Sequence, residues 1–130
     1  MRQNFPYVGA SYLFLIQDNQ ILLQRRFQTG FEDGNYGVPA GHLDGGETAR
    51  EGGAREICEE IGIEVQPGDL QVVHVMHRKA SNDERFDFFM TAPRTRGLLS
   101  ITSHISVMIC SFSHSIIYQK IWSIMFVSLF

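Results

Sequence analysis

Cysteine is scarce: Cys58 and Cys110 are the only two in 130 residues. A disulfide scaffold is excluded, and a reducing, cytoplasmic setting is expected with no secretory leader. Charge is also sparse, at 19% of residues against 44% hydrophobic, a balance that excludes wholesale disorder. What charge there is falls unevenly. Residues 1–93 hold all fourteen acids with eight basic residues, a balance of −6, whereas residues 94–130 hold three basic residues and no acid. Neither part carries a basic stripe able to track a phosphate backbone, so duplex nucleic acid is not an expected partner and a small ligand is. The length suits one compact core. The expected division is a folded core over 1–93 and an atypical apolar tail over 94–130.

Within the core, Val8 to Ile16 reads as an apolar strand, followed by a polar turn at Gln17 to Gln20 and a second strand at Ile21 to Leu23. Thr29 to Gly37 carries loop signals, a brief strand follows at Tyr36 to Pro39, and Gly41 to Gly46 forms a second glycine-rich stretch. It runs into a helical pattern from Thr48 to Ile61. Thr48 and Glu51 fit a capping box, and Gly62 fits a helix stop. Gly52 and Gly53 each cost roughly 1 kcal/mol against Ala in a helix, so tertiary contacts have to hold this one. Val72 to Met76 and Arg85 to Thr91 complete the set as strands. The plan is mixed α/β or α+β.

Glu56, Glu59 and Glu60 fall at i, i+3 and i+4 of that helix and crowd together within about one turn. Three adjacent carboxylates repel one another, and a hard divalent cation taking oxygen ligands relieves the conflict. Ala54, Ile57, Cys58 and Ile61 form the expected buried face, with Cys58 read as a small core residue. Taken alone, the acidic triplet describes a solvated helix face equally well. Its neighbourhood argues otherwise: a glycine-rich loop leads into the helix, Glu47 precedes it, and Arg55 lies within reach of a loop carboxylate.

Gly41, five residues on Glu47, and seven further on the run Arg55-Glu56-Ile57-Cys58-Glu59-Glu60-Ile61-Gly62-Ile63 match every defined position of the signature G-x5-E-x7-R-E-U-x-E-E-x-G-U, with U aliphatic. The chain thereby resembles the Nudix hydrolases over about residues 1–92. Pro39 to His42 and Leu22 to Arg26 also resemble bacterial members. The resemblance implies an α/β/α sandwich with a mixed sheet and a loop–helix–loop module. It also implies Mg²⁺ or Mn²⁺ as cofactor and hydrolysis of a nucleoside diphosphate linked to another group, with a nucleoside triphosphate giving a monophosphate as the leading expectation. Glu56, Glu59 and Glu60 would be the catalytic, metal-binding acids, joined by the Ala40 carbonyl. Gly41, Glu47, Arg55 and Gly62 would be structural, with Glu47 and Arg55 pairing loop to helix. Phe31, Tyr36 and His42 are open candidates for base contact, with packing as the alternative. Asp83, Glu84 and Asp87 are candidates for a further ligand or base, Asp87 foremost; His74 and His77 read as structural or exposed.

The tail departs from this resemblance, having no acids and no glycine after Gly97. A change of reading frame near residues 93–101 is one account of it. Read two nucleotides later, Met108-Ile109 must encode Asp and Met125-Phe126 must encode Val. Two competing readings are an inactive nucleotide-binding remnant and a tail-anchored protein. The uncharged stretch Gly97 to Gln119 is rich in Ser, and the apolar end Ile121 to Phe130 is short, so a membrane partner is not expected.

Overall fold

A computed structural model describes residues 5–17, 20–25, 34–79, 81–92 and 107–111. Its strands are β1 (Val8–Phe14), β2 (Ile16–Gln17), β3 (Gln20–Arg25), β4 (Tyr36–Gly37) and β5 (Ala40–His42), followed by helix α1 (Ala49–Ile61). A 3-10 turn (Pro67–Asp69) leads to β6 (Gln71–Lys79), β7 (Glu84–Thr91) and β8 (Val107–Ser111). The first sheet has the order β5-β1-β7-β6. In it β1 runs parallel to β7, from Val8 opposite Arg85 to Phe14 opposite Thr91, while β5 and β6 are antiparallel to their neighbours. In the second sheet β3 pairs with β2 and β4 along one edge and with β8 along the other. The expected mixed sheet with a helix on its face is present. Among the described residues no second helical layer and no helix long and apolar enough to cross a membrane is found.

The single strand expected over Val8 to Ile16 is two. The chain breaks at Leu15, a fully buried residue whose backbone carbonyl accepts from Leu22 N at 3.0 Å, and Ile16–Gln17 then joins the other sheet. The apolar run from Tyr12 to Ile16 carries no glycine, proline or polar residue to signal such a change of sheet. The brief strand expected at Tyr36 to Pro39 is only Tyr36–Gly37, paired with β3, and a further strand, Ala40–His42, forms at the start of the expected glycine-rich stretch and pairs with β1.

Alternation along β1 sets the two cores. Leu13 points to α1 and packs with Leu22, Ala54, Ile57, Ile61, Ile63, Leu70 and Met90. Phe14, with Tyr12 packed against it, faces the other way, toward Ile21, Leu23, Val38 and Phe89. Helix α1 is fixed at both ends. Thr48 Oγ1 accepts from Glu51 N at 3.2 Å and the Glu51 carboxylate accepts from Thr48 N at 2.7 Å. Gly62, at φ 71°, ends the helix and donates to the Cys58 carbonyl at 3.0 Å. That positive φ is the reason for glycine there.

The two helical glycines serve close approach. A Cβ on Gly53 would stand 2.8 Å from Met90 Cε and 3.2 Å from Leu13 Cδ2. A Cβ on Gly52 would collide with Leu43 and reach 2.8 Å from a Glu47 carboxylate oxygen. Their propensity cost therefore brings the helix down on the sheet and the loop down on the helix. This placement also corrects the reading of Cys58. The packed stripe runs through Gly53, Ala54, Ile57 and Ile61, and Cys58, turned about 100° beyond Ile57, is exposed.

β6 is an outer strand of the first sheet. Its Val72, Val73 and Val75 are exposed, and a register irregularity between Val72 and His74 interrupts its pairing with β7.

Candidate active site

The loop between β5 and α1 folds back over the helix through one arginine. Arg55 forks onto Glu47, with Nη2 to Oε1 at 2.7 Å and Nε to Oε2 at 3.1 Å. The same Glu47 oxygen, Oε1, accepts from Asp44 N at 2.7 Å. Arg55 Nη2 also donates to the His42 carbonyl at 3.1 Å and lies 3.5 Å from Asp44 Oδ2. The expected pairing of loop to helix by Glu47 and Arg55 is thus formed as a bidentate clamp, the strong geometry for such a pair. The Arg55 hydrogen bonds, with that of Asp44 N next, hold the Glu47 carboxyl below the usual carboxylate range. In turn Glu47 above all binds the Arg55 proton more tightly than usual.

Arg55 reaches further than its loop partner. Nη1 donates to Glu56 Oε1 at 2.8 Å and to Glu59 Oε2 at 3.2 Å. Repulsion within the acid cluster is therefore answered in part by a side chain of the same helix. The three acids differ in setting. The Glu56 side chain is 13% exposed and Glu59 is 59% exposed, while Glu60 is intermediate and its Oε2 accepts from Gln24 Nε2 on β3 at 2.8 Å. The Glu56 carboxylate lies against the backbone of Gly41, in the space where any side chain at that position would begin. Gly41 itself is fixed in β5 opposite Ser11 on β1, and Ser11 Oγ donates to the Ala49 carbonyl at 3.2 Å, tying that strand to the start of the helix.

With Arg55 between Glu56 and Glu59, no three His, Cys, Asp or Glu side chains among the described residues converge as a ready ligand cage. The donor chemistry nevertheless fits a hard cation: three carboxylates on one stretch of helix, with room for Glu56 kept open by a glycine. Ala40 precedes Gly41 in β5, opposite Tyr12.

Of the other candidate residues, His42 meets the cluster through its carbonyl, bonded to Arg55, and the acids of the first sheet have partners elsewhere. Asp87 is fully buried in the middle of the first sheet, on the face away from α1, with Oδ2 accepting from Arg78 Nε at 3.0 Å and Oδ1 unpartnered. Asp83 accepts from Arg85 at 2.7 and 2.9 Å, which holds its carboxyl below the usual range. Glu84 lies 3.2 Å from His77 Nε2. All three acids have basic partners of their own. Tyr12 stacks on Phe89 at 5.0 Å on this face, and its hydroxyl pKa is raised first by burial and then by the nearby Asp87 charge. His74 tilts against Phe89, whereas His77 stacks on Phe86 on the opposite face of the sheet. His42 is exposed, with Nε2 at 3.4 Å from Arg85 Nη1, and Tyr36 is exposed. Phe31 lies outside the described residues.

Sequence reasoning missed Gln24, and it missed the contacts of Arg55 with Glu56 and Glu59. The alternation that puts Leu22 in the helix-side core puts Gln24 on the same side of β3, and that signal was available.

The NUDIX domain family profile matches residues 6–105. The NAD-capped RNA hydrolase NudC of Stutzerimonas stutzeri (strain A1501) is 32% identical over 65 residues, half of this chain. The chain covers 23% of NudC's length. Among solved structures, the E. coli ORF135 protein superposes with a TM-score of 0.66 at 22% identity, covering 82% of this chain and 75% of that one. A protein described as an ADP compounds hydrolase also gives 0.66, at 20% identity, covering 92% and 65% respectively. At these identities the structural likeness speaks for the fold.

Proposed function

The chain belongs to the NUDIX domain family, and from that premise we propose that it is a metal-dependent hydrolase of nucleoside diphosphates linked to another group, with nucleoside triphosphates as the leading substrates and a monophosphate plus diphosphate as products. The observation that carries this reading is the gathering of Glu56, Glu59 and Glu60 on one helix whose preceding loop is clamped to it by Arg55 and Glu47. Mg²⁺ or Mn²⁺, when bound, supplies neutralisation of charge on the phosphoryl oxygens and activation of a water. Glu56, Glu59 and Glu60 would hold the cation, with the Ala40 carbonyl as a further oxygen ligand. Glu56, pressed against Gly41, orients the attacking water and takes up its proton. Arg55 Nη1 takes one oxygen of Glu56 and one of Glu59, while the fork from Nε and Nη2 keeps the loop in place. Small nucleotides are the proposed partners and the cytoplasm the proposed location, with 1–93 as the catalytic core and 94–130 as an appended tail.

The test is a panel of nucleoside triphosphates and sugar-linked nucleoside diphosphates, incubated with the purified chain and Mg²⁺, with products identified by chromatography. A nucleoside monophosphate is expected from at least one of them. Binding of nucleotide with no phosphate-containing product would favour the inactive remnant instead.

A further inference from the structure

Asp87 holds one acceptor in reserve. Its side chain is fully buried in the middle of the first sheet, Oδ2 accepts from Arg78 Nε at 3.0 Å, and Oδ1 is buried with no partner. Asp83 repeats the pattern, with Oδ2 forked by Arg85 and Oδ1 buried and unpartnered. An acceptor left unpaired away from water is unfavourable, and a donor arriving from a ligand relieves it. The surroundings select that donor. Each carboxylate already faces a guanidinium, so a cationic ligand would meet the arginines and an anionic one the acids. A neutral N–H edge meets neither conflict.

The same face of the sheet, away from α1, offers flat apolar surface: Tyr12 stacks on Phe89 at 5.0 Å, and His74 tilts against the same ring. Register ties this face to the cation site. Asp87 stands opposite Ala10 and Ala10 opposite His42, whose carbonyl accepts from Arg55. Two strand spacings, about 10 Å, separate Asp87 from β5, a span that one nucleoside covers. We propose that this face receives the base of the substrate and that Asp87 Oδ1 accepts from its exocyclic amino group, so that Asp87 selects cytosine or adenine over uracil or hypoxanthine. The bond to Arg78 stays in place, and the ligand uses only the other oxygen. The inference rests on the proposed reading of the substrate as a nucleotide and adds which edge of the base is read.

Isothermal titration of the full chain with nucleoside monophosphates, the proposed products, separates recognition from chemistry. CMP is compared with UMP, and AMP with IMP; within each pair an amino group in one stands where the other has a carbonyl oxygen. The amino member of at least one pair is expected to bind about 10-fold tighter or more. Asp87→Asn can present an amide NH₂ in place of Oδ1 while its oxygen still accepts from Arg78, and should reverse that preference. Arg78→Gln with Asp87→Asn removes both charges together and should reverse it too, which keeps the test open if the single variant does not fold. A purely structural Asp87 would change the affinity of all four ligands alike. Equal affinities within both pairs in the wild type, no binding of any of the four, or an unreversed preference in a folded variant would overturn the inference. Hydrolysis of the nucleotide panel with no base preference leaves the functional reading standing without it; selective binding with no hydrolysis does the opposite.

Discussion

Arg55 and Arg78 hold carboxylates on opposite sides of the first sheet, and they do so in different ways. Arg55 lies at the solvent edge and divides its donors among Glu47, Glu56 and Glu59, with a clamp on one side and exchangeable bonds on the other. Arg78 reaches one acid, Asp87, whose side chain is fully buried while that of Arg78 stays 20% exposed. The first arrangement can give up part of its pairing without exposing a buried charge, and the second cannot. The acid in the apolar strand is paired inside the sheet, whereas Glu56 and Glu59, two of the three acids proposed for the cation site, share the partly solvated Arg55.

The sharpest way to break this comparison is at the helix. Glu59→Gln and Glu60→Gln are each expected to lower Mg²⁺-dependent turnover by about 10³-fold, roughly 4 kcal/mol of transition-state stabilisation, measured as product release on the best substrate of the panel. Full activity in either variant would remove the site assignment. On the other side, Arg78→Met strands the Asp87 carboxylate and should destabilise the fold by about 3–5 kcal/mol in denaturant titration. Replacing both, as Arg78→Met with Asp87→Leu, should recover much of that loss, and no recovery would argue against a simple buried pair. Thr48→Ala removes the helix cap and should cost about 1 kcal/mol, read from the same titration.

The smallest expected effect is on acid stability. Because Arg85 holds the Asp83 carboxyl below its ordinary value, this pair stabilises the fold above about pH 4 and the contribution is lost as pH falls through the lowered value. Asp83→Asn should flatten the acid limb of a stability–pH curve and leave neutral pH little changed. An unaltered acid limb would show that the pairing contributes nothing there.

Helix α1 was readable almost to the residue, since Thr48, Glu51 and Gly62 are local signals that act within a turn or two of sequence. Glu47 and Arg55 were readable through the motif. Leu15 was not, because a change of sheet inside an apolar run leaves no polar mark. Cys58 misled because an apolar residue next to Ile57 fits a buried stripe until the glycines centre that stripe elsewhere. Gly52 and Gly53 read as weaknesses because the Leu43, Met90 and Leu13 side chains that need their space arrive from distant or separate segments. For Gln24 the strand alternation was legible, but its pairing with Glu60 across 36 residues was not.

Within the expected tail, Val107–Ser111 lies against β3, the strand that carries Gln24. The remaining residues after Ala92 lie outside those described, and with them both the membrane reading and the change of frame. Sequencing the gene decides the latter: an open second frame restoring acids after residue 101 is expected, and its absence would dismiss the idea.

The parallel pairing of β1 with β7 also sets an order of events for the newborn polypeptide. Val8 meets Arg85 and Phe14 meets Thr91, so the middle of the first sheet cannot close until the ribosome has delivered the chain as far as Thr91. Until then the earliest strand must wait beside β5 and the helix, a slow, non-local closure during which its apolar face is open to wrong neighbours.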